Sequence, residues 1–153
     1  MCVHGVAVKI DVECATWNGN TTYLSAWRWL HGASKVTEDT RATKQIFQIA
    51  YTEELRRERA GLLRQLGYSV ISAIGNDAAK TLLSTIENVD PTLFILGHAA
   101  PEQTRKEMVD WLKANYPKVR VLALNPPNQQ IPAADYNVIQ NGPEKWLPFV
   151  SAL

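Results

Sequence analysis

Two runs of consecutive apolar residues, Leu93-Phe94-Ile95-Leu96 and Val121-Leu122-Ala123-Leu124, limit the fold more than any other feature. Neither alternates with polar residues. Neighbouring side chains of a strand point to opposite faces, so a strand apolar at every position must be covered on both sides. Parallel strands flanked by helices meet that demand. The segments around these runs supply both kinds of element. Gln45–Ile49 reads as a first strand, Val70-Ile71 as the core of a second and Tyr136–Ile139 as a fifth. Thr52 can cap a helix with Glu53 and Glu54 in its first turn and Arg56, Arg57, Arg59 and Arg64 later, an order that suits the helix dipole. Leu55, Leu62, Leu63 and Leu66 form its apolar stripe, Gly67 ends it, and its arginines read as a solvated face. Asn76 can cap a second helix with Ala79, Leu82, Leu83 and Ile86 inward. Pro101 opens a third, with Met108, Val109, Leu112 and Tyr116 on one stripe. A last helix from Pro143 carries Trp146, Leu147, Val150 and Leu153, and Pro148 is expected to bend or shorten it.

Strands alternating with helices predict an α/β protein with a doubly wound, five-stranded parallel sheet. The expected order is the flavodoxin-like 2-1-3-4-5. One crossover departs from the pattern. Pro126, Pro127 and Pro132 lie between Asn125 and Tyr136, so the fourth helix should be reduced or missing.

The chain of 153 residues is long enough to bury a core, and its apolar fraction of 46% is ordinary. A net charge of +1 gives no strong drive toward nucleic acid. Cys2 and Cys14 form no metal-ligand cluster or disulfide framework with downstream residues, which suggests a reducing cytoplasm. No apolar run suits a membrane span. The pattern breaks near Lys44. Residues 1–43 read as a disordered extension, or as sequence upstream of a true start at Val36. The other reading is an interaction segment built on the aromatic stretch from Leu24 to Leu30.

Residues 44–153 resemble the receiver domain of response regulators. Leu62-Leu63, Gly67-Tyr68-Ser69-Val70, Pro101 and Ala134-Asp135-Tyr136 stand in that family's order. The phospho-accepting aspartate, four residues before the proline, is replaced by Gly97. Counting back without gaps from Gly67-Tyr68, the magnesium-holding acidic pair falls on Ala50 and Tyr51, and neither offers a carboxylate. Asn125 stands at the Ser/Thr position and Ile139 at the lysine position. The resemblance thus implies a degenerate receiver with no catalytic residues, no metal and no cofactor. Its expected role is a phosphorylation-independent module of bacterial signalling that binds a protein, a histidine kinase or another regulator.

A second reading makes the chain a flavodoxin-like binder of a small ligand in the crevice at the strand carboxyl ends, with Tyr51, His98 and Asn125 as its candidates. An enzyme built on His98 ranks last, because no second His, Cys or carboxylate stands nearby in sequence. Tyr136 matches the family's switch aromatic, and Trp146 is a candidate interaction residue. For both, packing is the simpler role.

Overall fold

The computed structural model describes residues 44–153. The expectations for residues 1–43 fall outside the described residues. The elements run β1 (Gln45–Ala50), α1 (Glu53–Gln65), β2 (Ser69–Ile74), α2 (Asn76–Thr85), β3 (Leu93–Leu96), α3 (Glu102–Asn115), β4 (Arg120–Asn125), β5 (Tyr136–Ile139) and α4 (Pro143–Ser151). All four strand pairings are parallel, in the order 2-1-3-4-5. The fold is the expected doubly wound sheet.

The two apolar runs lie where their composition requires. Every residue of β3 is fully buried. Phe94 and Leu96 face one core with Phe47, Ile49, Val121 and Ala123, closed by Ala79, Leu83, Met108, Val109 and Leu112 from α2 and α3. Leu93 and Ile95 face the other with Ile46, Leu122 and Leu124, closed by Leu63 of α1 and by Trp146 and Val150 of α4. Thr52 caps α1 through its hydroxyl oxygen, which accepts from the Leu55 amide at 3.4 Å. Gly67, at φ 93°, turns the chain out of α1, a conformation open to glycine without a Cβ penalty.

Several local expectations are corrected. Leu66 is exposed rather than on the inner stripe, whereas Arg59 is buried rather than solvated. Asn76 is the first residue of α2, not its cap, because its amide bonds elsewhere. Ile86 lies at the end of α2 and is 39% exposed rather than on the inner face. Pro148 sits inside α4, which ends three residues later.

No helix separates β4 from β5. Residues 126–135 cross on a loop held by side chains. Ile131 is fully buried in the core that α2 and α3 close, filling space on that face. Asn137 fixes it: its Oδ1 accepts from the Ile131 amide at 2.8 Å, and its Nδ2 donates to the Ile131 carbonyl at 3.0 Å. The loop ends on Asp135, whose Oδ2 accepts from Lys113 Nζ and from the Val121 amide, both at 2.7 Å.

Burial alone would raise the Asp135 carboxyl, but the bonds from Lys113 and Val121 outweigh it and hold the group below its ordinary value. A depressed carboxyl contributes stability above its unfolded value, and that contribution fades as pH falls through the folded value. Asp135→Asn should therefore lower the urea midpoint at neutral pH. The gap to wild type should close as pH drops below the ordinary carboxyl value of 3.8. A gap of constant size from neutral to acid pH would count against this ionic tether.

Candidate functional site

Doubly wound sheets bind ligands at the strand carboxyl ends, where the order reverses. Here that edge is formed by Ala50 at the end of β1 and Tyr51 after it, Gly97 and His98 after β3, and Asn125 at the end of β4. Ala50 is fully buried, and the Gly97 amide donates to the Ile49 carbonyl at 2.8 Å. A Cβ at position 97 would stand 3.3 Å from the Ile49 oxygen, 3.5 Å from Arg59 Nη1 and 3.6 Å from the Ala50 Cα. A side chain at position 97 would thus be hemmed in by backbone and faced by a guanidinium.

Two arginines dominate this edge. Arg59 of α1 is 8% exposed, and its Nη1 is buried without a hydrogen-bond partner. Burial lowers its pKa to about 10, with Glu58 acting weakly the other way. Arg105 of α3 is fully buried and well partnered. Its Nε donates to the Ala100 carbonyl at 3.2 Å, and its Nη1 donates to the Leu124 carbonyl at 3.2 Å and to Asn125 Oδ1 at 2.8 Å. Its Nη2 donates to Gln129 Oε1 at 2.6 Å. Asn125 Nδ2 in turn donates to Asn137 Oδ1 at 2.8 Å. A single polar chain therefore runs from α3, across the end of β4, to the loop that stands in for a helix.

Each crevice candidate feels Arg105: Asn125 accepts its hydrogen bond, and its charge acts on Tyr51 and His98. The Tyr51 hydroxyl donates to Asn76 Oδ1 at 2.8 Å, and Asn76 Nδ2 donates to the Thr104 carbonyl at 2.8 Å, so the phenol ties α2 to α3. Burial pushes the Tyr51 hydroxyl up to about 12, against the pull of Arg105, and it stays protonated at neutral pH. His98 is half-buried, and its Nδ1 is buried without a partner. Burial, Arg59 and Arg105 all hold its pKa below the ordinary imidazole value. No group of three or more His, Cys, Asp or Glu side chains suited to a metal ion occurs among the described residues.

The positions named from β5 and α4 lie apart from this edge. Ile139, expected at the lysine position, is 48% exposed. Tyr136 pairs with Leu122 in register, three residues back from the Asn125–Ile139 pair. Its hydroxyl accepts from Arg120 Nη1 at 2.8 Å, and its ring packs on Phe149. Trp146, a candidate interaction residue, is buried in the core beneath α4. The sequence offered a signal for the two arginines it did not bring forward. Arg59 falls four residues after Leu55 and four before Leu63, and Arg105 falls three before Met108 and seven before Leu112. Each occupies an inward position of its helix, where a charge is rare unless the opposite wall has room for it.

No protein-family model matches the chain, and a search of curated proteins finds no match. Solved structures do match in fold. The response regulator TrrA of Thermotoga maritima, in complex with magnesium and beryllofluoride, superposes with a TM-score of 0.61 at 16% identity, over 72% of this chain and 97% of that one. The chemotaxis response regulator CheY4 of Vibrio cholerae gives 0.61 at 16% identity, over 72% and 98%. TrrA in complex with the histidine kinase ThkA gives 0.60 at 17% identity, over 72% and 97%. The likeness establishes the CheY-like, flavodoxin-like fold of residues 44–153.

Proposed function

We propose that residues 44–153 form a receiver-like signalling domain that takes no phosphoryl group and works as a protein-interaction module, without enzymatic activity of its own. The observation that carries this reading is the exchange of charge at the strand ends. An aspartyl phosphate needs a carboxylate nucleophile and a divalent cation to offset negative charge on the transferred group. Gly97 offers no nucleophile, and Ala50 and Tyr51 offer no ligand for a cation. Positive charge, expected to be absent with the lysine, is instead supplied from the helices by Arg59 and Arg105. Two guanidinium groups repel a divalent cation, so the site opposes metal-assisted transfer as well as lacking its parts.

Arg105 is fully buried and Arg59 Nη1 stands 3.5 Å from where a Gly97 Cβ would lie, a crowding that favours a surface acting on a partner over a pocket acting on a substrate. TrrA has been captured with a histidine kinase, and a kinase or another regulator is the kind of partner that suits this fold. Among the described residues no helix is long and apolar enough to cross a membrane. A cytoplasmic setting fits the partners proposed.

Incubation of the full chain with acetyl phosphate and magnesium should leave its intact mass unchanged. Gly97→Asp should stay equally unreactive, because its carboxylate would meet Arg59 and find no metal. A hydroxylamine-sensitive gain of one phosphoryl group in the unaltered chain would overturn the proposal.

A further inference from the structure

A cleft of about 310 Å³ opens between α1 and the start of α4. It shares Arg59 with the strand-end edge described above, and the inference drawn from it goes beyond the function proposed there. Leu55, Leu62 and Trp146 give it an apolar lining, and Arg59, Gln140 and Glu58 give it polar groups. Its size is at the small end of ligand pockets, and an apolar surface with a few convergent polar groups is their usual character.

Arg59 is the anomaly. It is more than nine-tenths buried, makes no ion pair or hydrogen bond among the described residues, and keeps Nη1 without a partner. A buried cation costs several kcal/mol unless an opposite charge or well-placed acceptors offset it. Glu58, beside it in sequence, is exposed and does not pair with it. The cleft also borders the start of α4, where Gly142 at the cap provides no side-chain acceptor for the first amides. The Glu144 carboxylate folds back over Gly142.

We propose that this cleft binds a small organic anion: a carboxylate with an apolar body, its oxygens paired with Arg59 and its body laid on Leu55, Leu62 and Trp146. A planar guanidinium matches a carboxylate, and one unpaired cation calls for one negative charge. Glu58 and Glu144 at the margins disfavour a dianion such as phosphate. The apolar lining rewards a hydrocarbon body over a bare ion.

Benzoate is a suitable probe, with benzamide as its neutral isostere. Titration of the isotope-labelled full chain should give saturable amide shifts at Arg59, Gln140 and Gly142 and at the Trp146 indole with benzoate, and none with benzamide. Arg59→Gln should weaken benzoate by at least about tenfold, the loss of a charge-assisted hydrogen bond. Arg57→Gln, on the exposed face of α1, should leave binding unchanged. Three results would each overturn the proposal: no saturable shift with millimolar benzoate, equal binding of benzamide, or full affinity in Arg59→Gln. Should Arg59→Gln fail to fold, the benzoate and benzamide comparison on the unaltered chain decides alone. These outcomes are independent of the acetyl phosphate test.

Discussion

Phe94→Ala lowers the unfolding free energy by about 3–5 kcal/mol and Ile95→Ala by about 2–5 kcal/mol, although the two side chains point to opposite faces of β3. The reason is that the strand has no outside. Phe94 meets the edges of Phe47 and Tyr116, with ring centroids 5.9 and 5.4 Å apart. Ile95 is sealed under α1 and α4. Each truncation leaves a cavity that neither packed helix layer can fill without moving the other elements it touches. Equilibrium urea unfolding of the two variants measures both costs. A loss under about 1 kcal/mol for either would place that side chain at a half-open surface and contradict the double covering.

Arg105→Met lowers stability by about 2–4 kcal/mol, whereas Arg59→Met costs nothing or stabilises. Both remove a buried guanidinium of similar shape, so their difference isolates hydrogen bonding. Arg105 satisfies acceptors on Ala100, Leu124, Asn125 and Gln129. Truncation strands several of them away from water, and each buried acceptor left without a donor costs about 1–3 kcal/mol, partly repaid by no longer desolvating the charge. Arg59 satisfies none among the described residues, so an apolar replacement relieves desolvation and leaves nothing stranded. Urea midpoints of the two variants test the contrast. Equal losses would show that the charges themselves, rather than the bonds of Arg105, govern this edge.

The sheet was legible in the sequence because its signal is redundant. Continuous apolar strands, stripes at helical spacing, Thr52 and Gly67 all point to one topology, and the prolines between Asn125 and Tyr136 mark the lost helix. The candidate edge was legible only as a set of absences. Under the proposed reading Gly97, Ala50, Tyr51 and Ile139 stand where a receiver would carry its chemical groups, but these residues do not show what lies beside them. That depends on side chains distant in sequence, Arg59 and Arg105, reaching one place through packing. Local rules assign an arginine on a helix to solvent, and for Arg59 only the small residues Gly97 and Ala50 at the strand ends reverse that assignment. Trp146 shows the converse: its position in α4 is compatible with display or with burial, and the contacts of a whole helix face decide between them.

The loop that replaces a helix also alters the order in which this sheet can assemble. The other parallel pairings must each carry a whole helix across before their strands meet, whereas β4 and β5 are joined by residues 126–135 alone. The entropy of closing a chain segment rises with its length, so this pairing has the smallest closure cost in the sheet. Asn137 then binds Ile131 within the same short span. The β4–β5 pairing is thus local and able to form early, and β5, bonded to β4 alone at the edge of the sheet, can open without breaking the β1–β3 or β3–β4 pairings. Such independence suits a border strand that must adjust to a neighbour while the centre of the domain stays closed.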